Sequence, residues 1–266
     1  RTREVARRRA KASRARPTVV RIRFRTVFHM TRQNDLDTVY SLLDDLAATV
    51  GGMRRLGDCD GRMNWPDRGI YFFFHPDETR SDTDQRRLTR IGTHAVSEGS
   101  STSLWNRLRT HRGAQRGTYE GGGNHRGSVF RKRVGEAIIE RDDLQEAYPE
   151  WGVGSSAARA LRTEELDLER RVSEYIRELP FLWVAVDDEP SPESDRASIE
   201  RNMIALVSNL DTADIDPRRE DWLGHHSPVT EIKQSGLWNI NHVDEEYHPE
   251  FLETFESYID SMPGFA

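Results

Sequence analysis

Arg107 and His111 stand four residues apart in the segment 104–111, which Thr102 or Ser103 can cap and Gly113 ends. On a helix this spacing puts both side chains on one face, where a guanidinium and an imidazole could meet a single phosphate group. Two further residue types would complement them. Glu200 lies beside Ile199, at the border of an apolar stripe formed by Ile199, Met203, Leu206, Val207 and Leu210, so its carboxylate could look out from a core toward a cleft. Tyr71, in the aromatic run Gly69-Ile70-Tyr71-Phe72-Phe73-Phe74, offers a phenol on a strand. Taken singly, each has an ordinary explanation: a solvated helix face, a surface acid, a core ring. They gain weight only in company.

The elements that must position these residues are written in the hydrophobic pattern. Val20, Ile22, Phe24 and Phe28 alternate with Arg21, Arg23 and Arg25, which predicts a first strand. Val39, Leu42, Leu43 and Leu46 recur at helical spacing between Asn34, a possible cap, and Gly51. Pro66 precedes a strand over 69–75, and a second over 88–96 completes a hairpin with a long charged connection. Helices follow over 128–141 and 157–179, a buried strand over 181–186, a helix opened by Ser194, a loop-rich section to Val243 and an acidic helix over 244–262. The fold class expected is α/β of the α+β kind, with a small, mostly antiparallel sheet flanked by helices. Residues 1–25 form a basic arm and first strand, and 26–266 a single domain. Its core spans 66–113 and 180–243, with a helical insertion over 114–179.

Composition narrows the function classes. The 266 residues are 35% hydrophobic and 9% aromatic, enough for a packed core. No run approaches the roughly 18 apolar residues of a membrane span, and no secretory leader is evident, so no membrane partner is expected. A single cysteine, Cys59, excludes an internal disulfide and a thiolate metal cluster, and a reducing, cytoplasmic setting is expected. The formal charge of -6 conceals a division. Residues 1–25 hold eleven arginines and lysines against Glu4 alone, a local +10 that leaves -16 for the rest. The arm could supply salt-sensitive phosphate contacts or be an ordinary solvated tail.

The order of the motifs resembles the GIY-YIG nuclease superfamily. Gly69-Ile70-Tyr71 stands as the first signature and Arg90-Ile91-Gly92 as the second, with Arg90 where the family normally has tyrosine and an eighteen-residue spacer after Tyr71. The wider setting is similar to a prokaryotic branch of such proteins: Ser103-Leu104-Trp105-Asn106-Arg107-Leu108, Gly123-Asn124-His125-Arg126-Gly127 and Ser235-Gly236-Leu237-Trp238-Asn239. The resemblance implies a divalent-metal-dependent endonuclease acting on DNA, with Tyr71, Arg90, Arg107, His111, Glu200 and Asn239 as catalytic residues. Asn209 is the alternative family asparagine. It further implies magnesium or manganese held by Glu200, a lone carboxylate suited to a cation that keeps its waters.

Under that resemblance, Arg107 would grip the non-bridging phosphate oxygens. Tyr71 would accept the proton of the attacking water. A phenol of pKa near 10 needs roughly 4 kcal/mol of differential stabilisation to work near neutrality, which nearby cations such as Arg90 could provide. The glycine-rich loop 121–127 lacks the lysine and hydroxyl of a nucleotide-binding loop. Together with the residues that follow it suggests a DNA-backbone contact through His125, Arg126, Arg131, Lys132 and Arg133, or else an exposed helix start. His225 and His226 are read as loop histidines. A different class also fits: a catalytically degenerate nucleic-acid-binding or assembly module, which Arg90 in place of tyrosine favours.

Overall fold

The computed structural model describes the backbone of residues 18–81, 83–212 and 215–264, with side chains from residue 32 onward. Most of the basic arm, residues 1–17, lies outside the described residues. In chain order the elements are α1 (Thr18–Thr49), β1 (Arg54–Arg55), β2 (Gly69–Thr79), β3 (Arg86–Gly92), α2 (Leu104–Arg112), α3 (Val129–Arg141), α4 (Arg159–Glu164), α5 (Leu166–Glu178), β4 (Pro180–Ala185), α6 (Asp195–Val207), α7 (Thr230–Ser235) and α8 (Phe251–Ser261). The chain divides at Asn34/Asp35 into two units, and the larger one carries the sheet and every element after α1. No described helix is long and apolar enough to cross a membrane.

The fold is α+β. Its sheet runs β1-β4-β2-β3 with every neighbouring pair antiparallel. β2 is therefore central, and Tyr71 lies between Gly92 of β3 and Trp183 of β4. Side chains alternate across a strand, so Tyr71 and Phe73 share one face, where they meet His111 of α2 and Phe130 of α3. Phe72 points the other way, onto Phe255 of α8. Burial on both faces explains why 69–74 reads as an unbroken apolar run.

Local chemistry sets the element ends. Ser103 caps α2 by accepting the Asn106 N–H, Ser128 caps α3 through the Arg131 N–H, and Ser194 caps α6 through the Ala197 N–H. Three expectations are corrected. The strand expected from Val20 is helix, part of α1; Val20, Phe24 and Phe28 are also spaced four apart, so the pattern serves both periods. The helix expected over 157–179 breaks at Glu165, whose carboxylate turns in to Arg126 at 2.6 and 2.9 Å. The last helix begins at Phe251 rather than 244, because Pro249 has no N–H to continue a helix and the His248 N–H is taken by Asn202.

The insertion is part of the core. Arg131, wholly buried on α3, donates to Glu169 Oε2 of α5 at 3.0 Å, to the Glu169 carbonyl and Ser173 Oγ at 2.9 Å, and to the His111 carbonyl at 2.8 Å. Glu169 also accepts from the backbone and ring of His125 at 2.6 and 2.9 Å, and burial of this carboxylate is offset by His125 and Arg131 so that its pKa falls below the usual value. Stripping one partner leaves a buried charge unpaired, at a cost of about 3–5 kcal/mol. Glu169→Leu should lose that much in urea unfolding, and Arg131→Met/Glu169→Leu should recover most of it.

Candidate active site

Two glycines make room for the site. A Cβ at Gly69 would collide with the Val184 carbonyl, and one at Gly92 would collide with the Tyr71 hydroxyl and ring. The phenol therefore lies across β3 where that strand has no side chain. Its oxygen meets His111 Nε2 at 2.9 Å, and His111 Nδ1 meets Ser128 Oγ at 2.8 Å. A neutral imidazole presents one donor and one acceptor, so the chain from Tyr71 through His111 to Ser128 is satisfied in either direction. Burial, then the nearby charges of Arg107, Arg90 and Arg131, hold the His111 pKa well below its ordinary value. His111 is thus a neutral hydrogen-bonding partner and a weak base.

Two guanidiniums flank the phenol. Arg107, on the same face of α2 as His111, is held more firmly in its charged form by Tyr71, with a smaller contribution from Glu200. Arg90 is pulled the other way by burial, and Tyr71 and Glu200 partly compensate. Arg90 also donates to the Trp238 carbonyl at 2.8 Å and lies over the Phe130 ring at 4.7 Å. The Nε atoms of both arginines are buried without a hydrogen-bond partner among the described residues. Buried donors of this kind are costly unless something fills them, which suits an anionic oxygen from outside.

Glu200 comes from α6. Arg196, one turn earlier and wholly buried, fastens that helix: it donates to the Val186 and Asp188 carbonyls beyond β4 at 3.2 and 3.0 Å and to the Ala95 carbonyl beyond β3 at 3.0 Å. The tie brings Glu200 Oε1 to the Thr93 N–H at 3.1 Å, just past the second signature. Oε2 accepts no hydrogen bond from the described residues. Burial raises the Glu200 pKa, opposed by Arg90, the Thr93 N–H, His242 and Arg107. Tyr71, Arg90, Arg107, His111 and Glu200, drawn from β2, β3, α2 and α6, thus share one electrostatic neighbourhood.

Other expected residues lie elsewhere. Asn239 binds β3 rather than the cluster: its Oδ1 accepts the Ile91 N–H at 3.1 Å and its Nδ2 donates to the Ile91 carbonyl at 2.8 Å. Asn209 is spent on the loop at Ile215 and Asp216. The expected DNA-backbone contacts are corrected most. His125 and Arg131 are buried on Glu169, with His125 stacked on Trp151 at 3.7 Å. Arg126 pairs with Glu165, Lys132 donates to the Gly152 carbonyl at 2.9 Å, and Arg133 pairs with Glu136 at 2.7 Å. A basic run looks alike in sequence whether its partners are phosphates or distant acids. His225 bonds the Arg219 carbonyl, and the described residues contain no group of three metal-ligating side chains.

Sequence reasoning missed His94. It is buried, its Nε2 donates to the Asp67 carbonyl at 3.2 Å, and its Nδ1 has no partner among the described residues. The signal was its place, two residues past the second signature.

The site thus gathers a phenol, a neutral imidazole, two guanidiniums with buried Nε donors unfilled among the described residues, and a single carboxylate. The model of the GIY-YIG domain matches residues 30–264, and the chain belongs to that family, whose domains are of the nuclease type. Comparison with curated proteins and with solved structures gives no match.

His94 gives a pH prediction. Burial lowers its pKa to about 4, with Arg196 and Arg107 adding to the effect against the Asp67 carbonyl. Because the folded value lies below the unfolded one of about 6.5, its stabilisation is complete above pH 6.5 and lost as pH falls toward 4, about 3 kcal/mol in all. Thermal unfolding should weaken over that window, and less steeply in His94→Asn.

Proposed function

We propose that this protein is a divalent-metal-dependent endonuclease that hydrolyses phosphodiester bonds of DNA. The observation that carries the reading is the convergence of Tyr71, Arg90, Arg107, His111 and Glu200 around unfilled guanidinium donors. The carboxylate suits the metal. A lone Glu200 with one oxygen on a backbone N–H and the other without a partner among the described residues fits magnesium or manganese, which retain much of their water. When bound there, the cation supplies Lewis acidity at the phosphate.

The protein's own residues then divide the work. Arg107 and Arg90 hold non-bridging oxygens of the scissile phosphate and set its orientation. A water oxygen attacks phosphorus as its proton passes to the Tyr71 oxygen, whose own proton has first been given up to solvent. The bond to the leaving oxygen breaks, and that oxygen takes a proton from solvent. The two guanidiniums offset the negative charge on the phenol oxygen and on the phosphate. His111 fixes the phenol through its Nε2 and, held neutral, does not carry the proton away. Arg90 places a charge beside Tyr71, and it is the presence of Tyr71, Arg107, His111 and Glu200 together that favours the enzyme over a degenerate binding module.

Purified protein with magnesium or manganese should nick or linearise plasmid DNA. Glu200→Gln should remove cleavage, at least 100-fold, with its thermal midpoint kept, and manganese titration should show loss of the cation as well. Robust cleavage by this variant would remove Glu200 from the site. Arg90→Ala should slow cleavage and shift its pH profile upward; an unchanged rate and profile would show that Arg90 has no part in the chemistry.

A further inference from the structure

The glycine-rich segment after α2 forms one wall of a groove. Its backbone closes on itself: Ala114 N–H donates to the Gly122 carbonyl at 2.7 Å, Gly121 N–H to the Ala114 carbonyl at 3.0 Å, and Gly122 N–H to the Tyr119 carbonyl at 3.0 Å. Beneath it, a Cβ at Gly123 would collide with the Arg131 guanidinium, and one at Gly113 with the Gly122 carbonyl. The buried Arg131–Glu169 pair thus serves as the floor on which the loop is pressed.

The groove between this loop and α2 has a volume of about 400 Å³. Arg109, Arg112 and Arg162 line it, with Gln115, Tyr119 and Asn124, and no carboxylate does. Arg109 is exposed and makes no ion pair or hydrogen bond through its side chain among the described residues. Arg162 is held over the Tyr119 ring at 3.9 Å. Arg112 lies over Trp105 at 4.8 Å and donates to the Cys59 carbonyl, which fixes its direction. In a body that is strongly acidic outside its first 25 residues, three arginines with no acid among them form a local field for an anion.

Arg112 and Arg107 stand on the same helix, five residues apart, or about 7.5 Å along its axis. At about 100° per residue, however, Arg112 stands about 140° and Arg109 about 200° around α2 from Arg107, so the groove and the Tyr71 site lie on different faces of that helix.

We propose that this groove binds the phosphodiester backbone of duplex DNA away from the scissile bond, through Arg109 and Arg162, with Arg112 adding to the positive field. The proposal rests on the nuclease reading for its substrate, but its test does not depend on cleavage. Fluorescence anisotropy of a 30-base-pair duplex is measured against salt for the Glu200→Gln protein. Adding Arg109→Ala and Arg162→Ala should weaken binding at least tenfold and flatten the dependence of log K on log salt by about 1.8, at about 0.9 for each phosphate no longer neutralised. Arg86→Ala, an exposed arginine at the start of β3, should change neither. Circular dichroism melts check that each variant is folded, and Arg109→Glu, which leaves Tyr119 and its partner in place, should weaken binding further than Arg109→Ala.

Parental affinity and slope in the double variant would overturn the groove, as would loss confined to an RNA duplex of the same sequence. If wild-type protein cleaves while the groove variants bind normally, the groove fails and the nuclease reading stands. Groove-dependent binding by a wild-type protein that never cleaves would sink the nuclease reading alone.

Discussion

Tyr71 reaches His111 by lying across β3 at the position where that strand carries no side chain, and the site is organised by this crossing. The hydroxyl must clear Gly92, which fixes the register of β2 against β3. It must meet His111 Nε2, which fixes α2 over the sheet. Once both hold, Arg107 lies beside the phenol because it sits one turn before His111, and Arg90 does so because it sits two residues before Gly92. A residue with a side chain at position 92 would displace the ring and with it the charge arrangement that gives the site its chemistry.

Buried arginines do the corresponding work away from the site. Arg131 gathers α2, α3 and α5, while Arg196 ties α6 to the ends of β3 and β4. Each spends its guanidinium on backbone carbonyls as well as on one carboxylate, so many donors are satisfied at once. An ion pair in the interior gives little net stability over a well-packed apolar alternative, but it specifies geometry, because losing either member strands the other. That is the property needed where elements distant in sequence must present side chains to one phosphate. Arg196 makes the case directly, since Glu200 stands one turn beyond it.

The sequence carried the strands and most helices because their periods and caps are local. Ser103, Ser128 and Ser194 each sit where a side-chain oxygen can meet an orphan N–H, and Gly69 and Gly92 mark the two places where chains pass closely. The functional candidates were legible for the same reason, each lying at a fixed offset from such a landmark. What could not be read was the partner of a charge. His125, Arg126 and Arg131 look like a basic patch until Glu165 and Glu169, some forty residues on, turn in to meet them. Asn239 stands out in its Leu-Trp-Asn setting, yet its amide pairs with the backbone of Ile91, a relation between positions 148 residues apart. The segment from Val20 to Phe28 shows the converse limit, where Val20, Phe24 and Phe28 satisfy two periods and the backbone of α1 decides between them.

Residues 238 and 239 lie along the outer side of β3, where the Trp238 N–H donates to the Thr89 carbonyl at 2.8 Å and the Asn239 amide both gives to and takes from Ile91. A side-chain amide here imitates a peptide unit, so the rim of the sheet nearest the site is closed without another strand. At the far rim, β1 is only two residues long. There it pairs only with Pro180 and Phe181, whereas at the β3 border a strand from another molecule could not take up Thr89 and Ile91 without displacing Trp238 and Asn239.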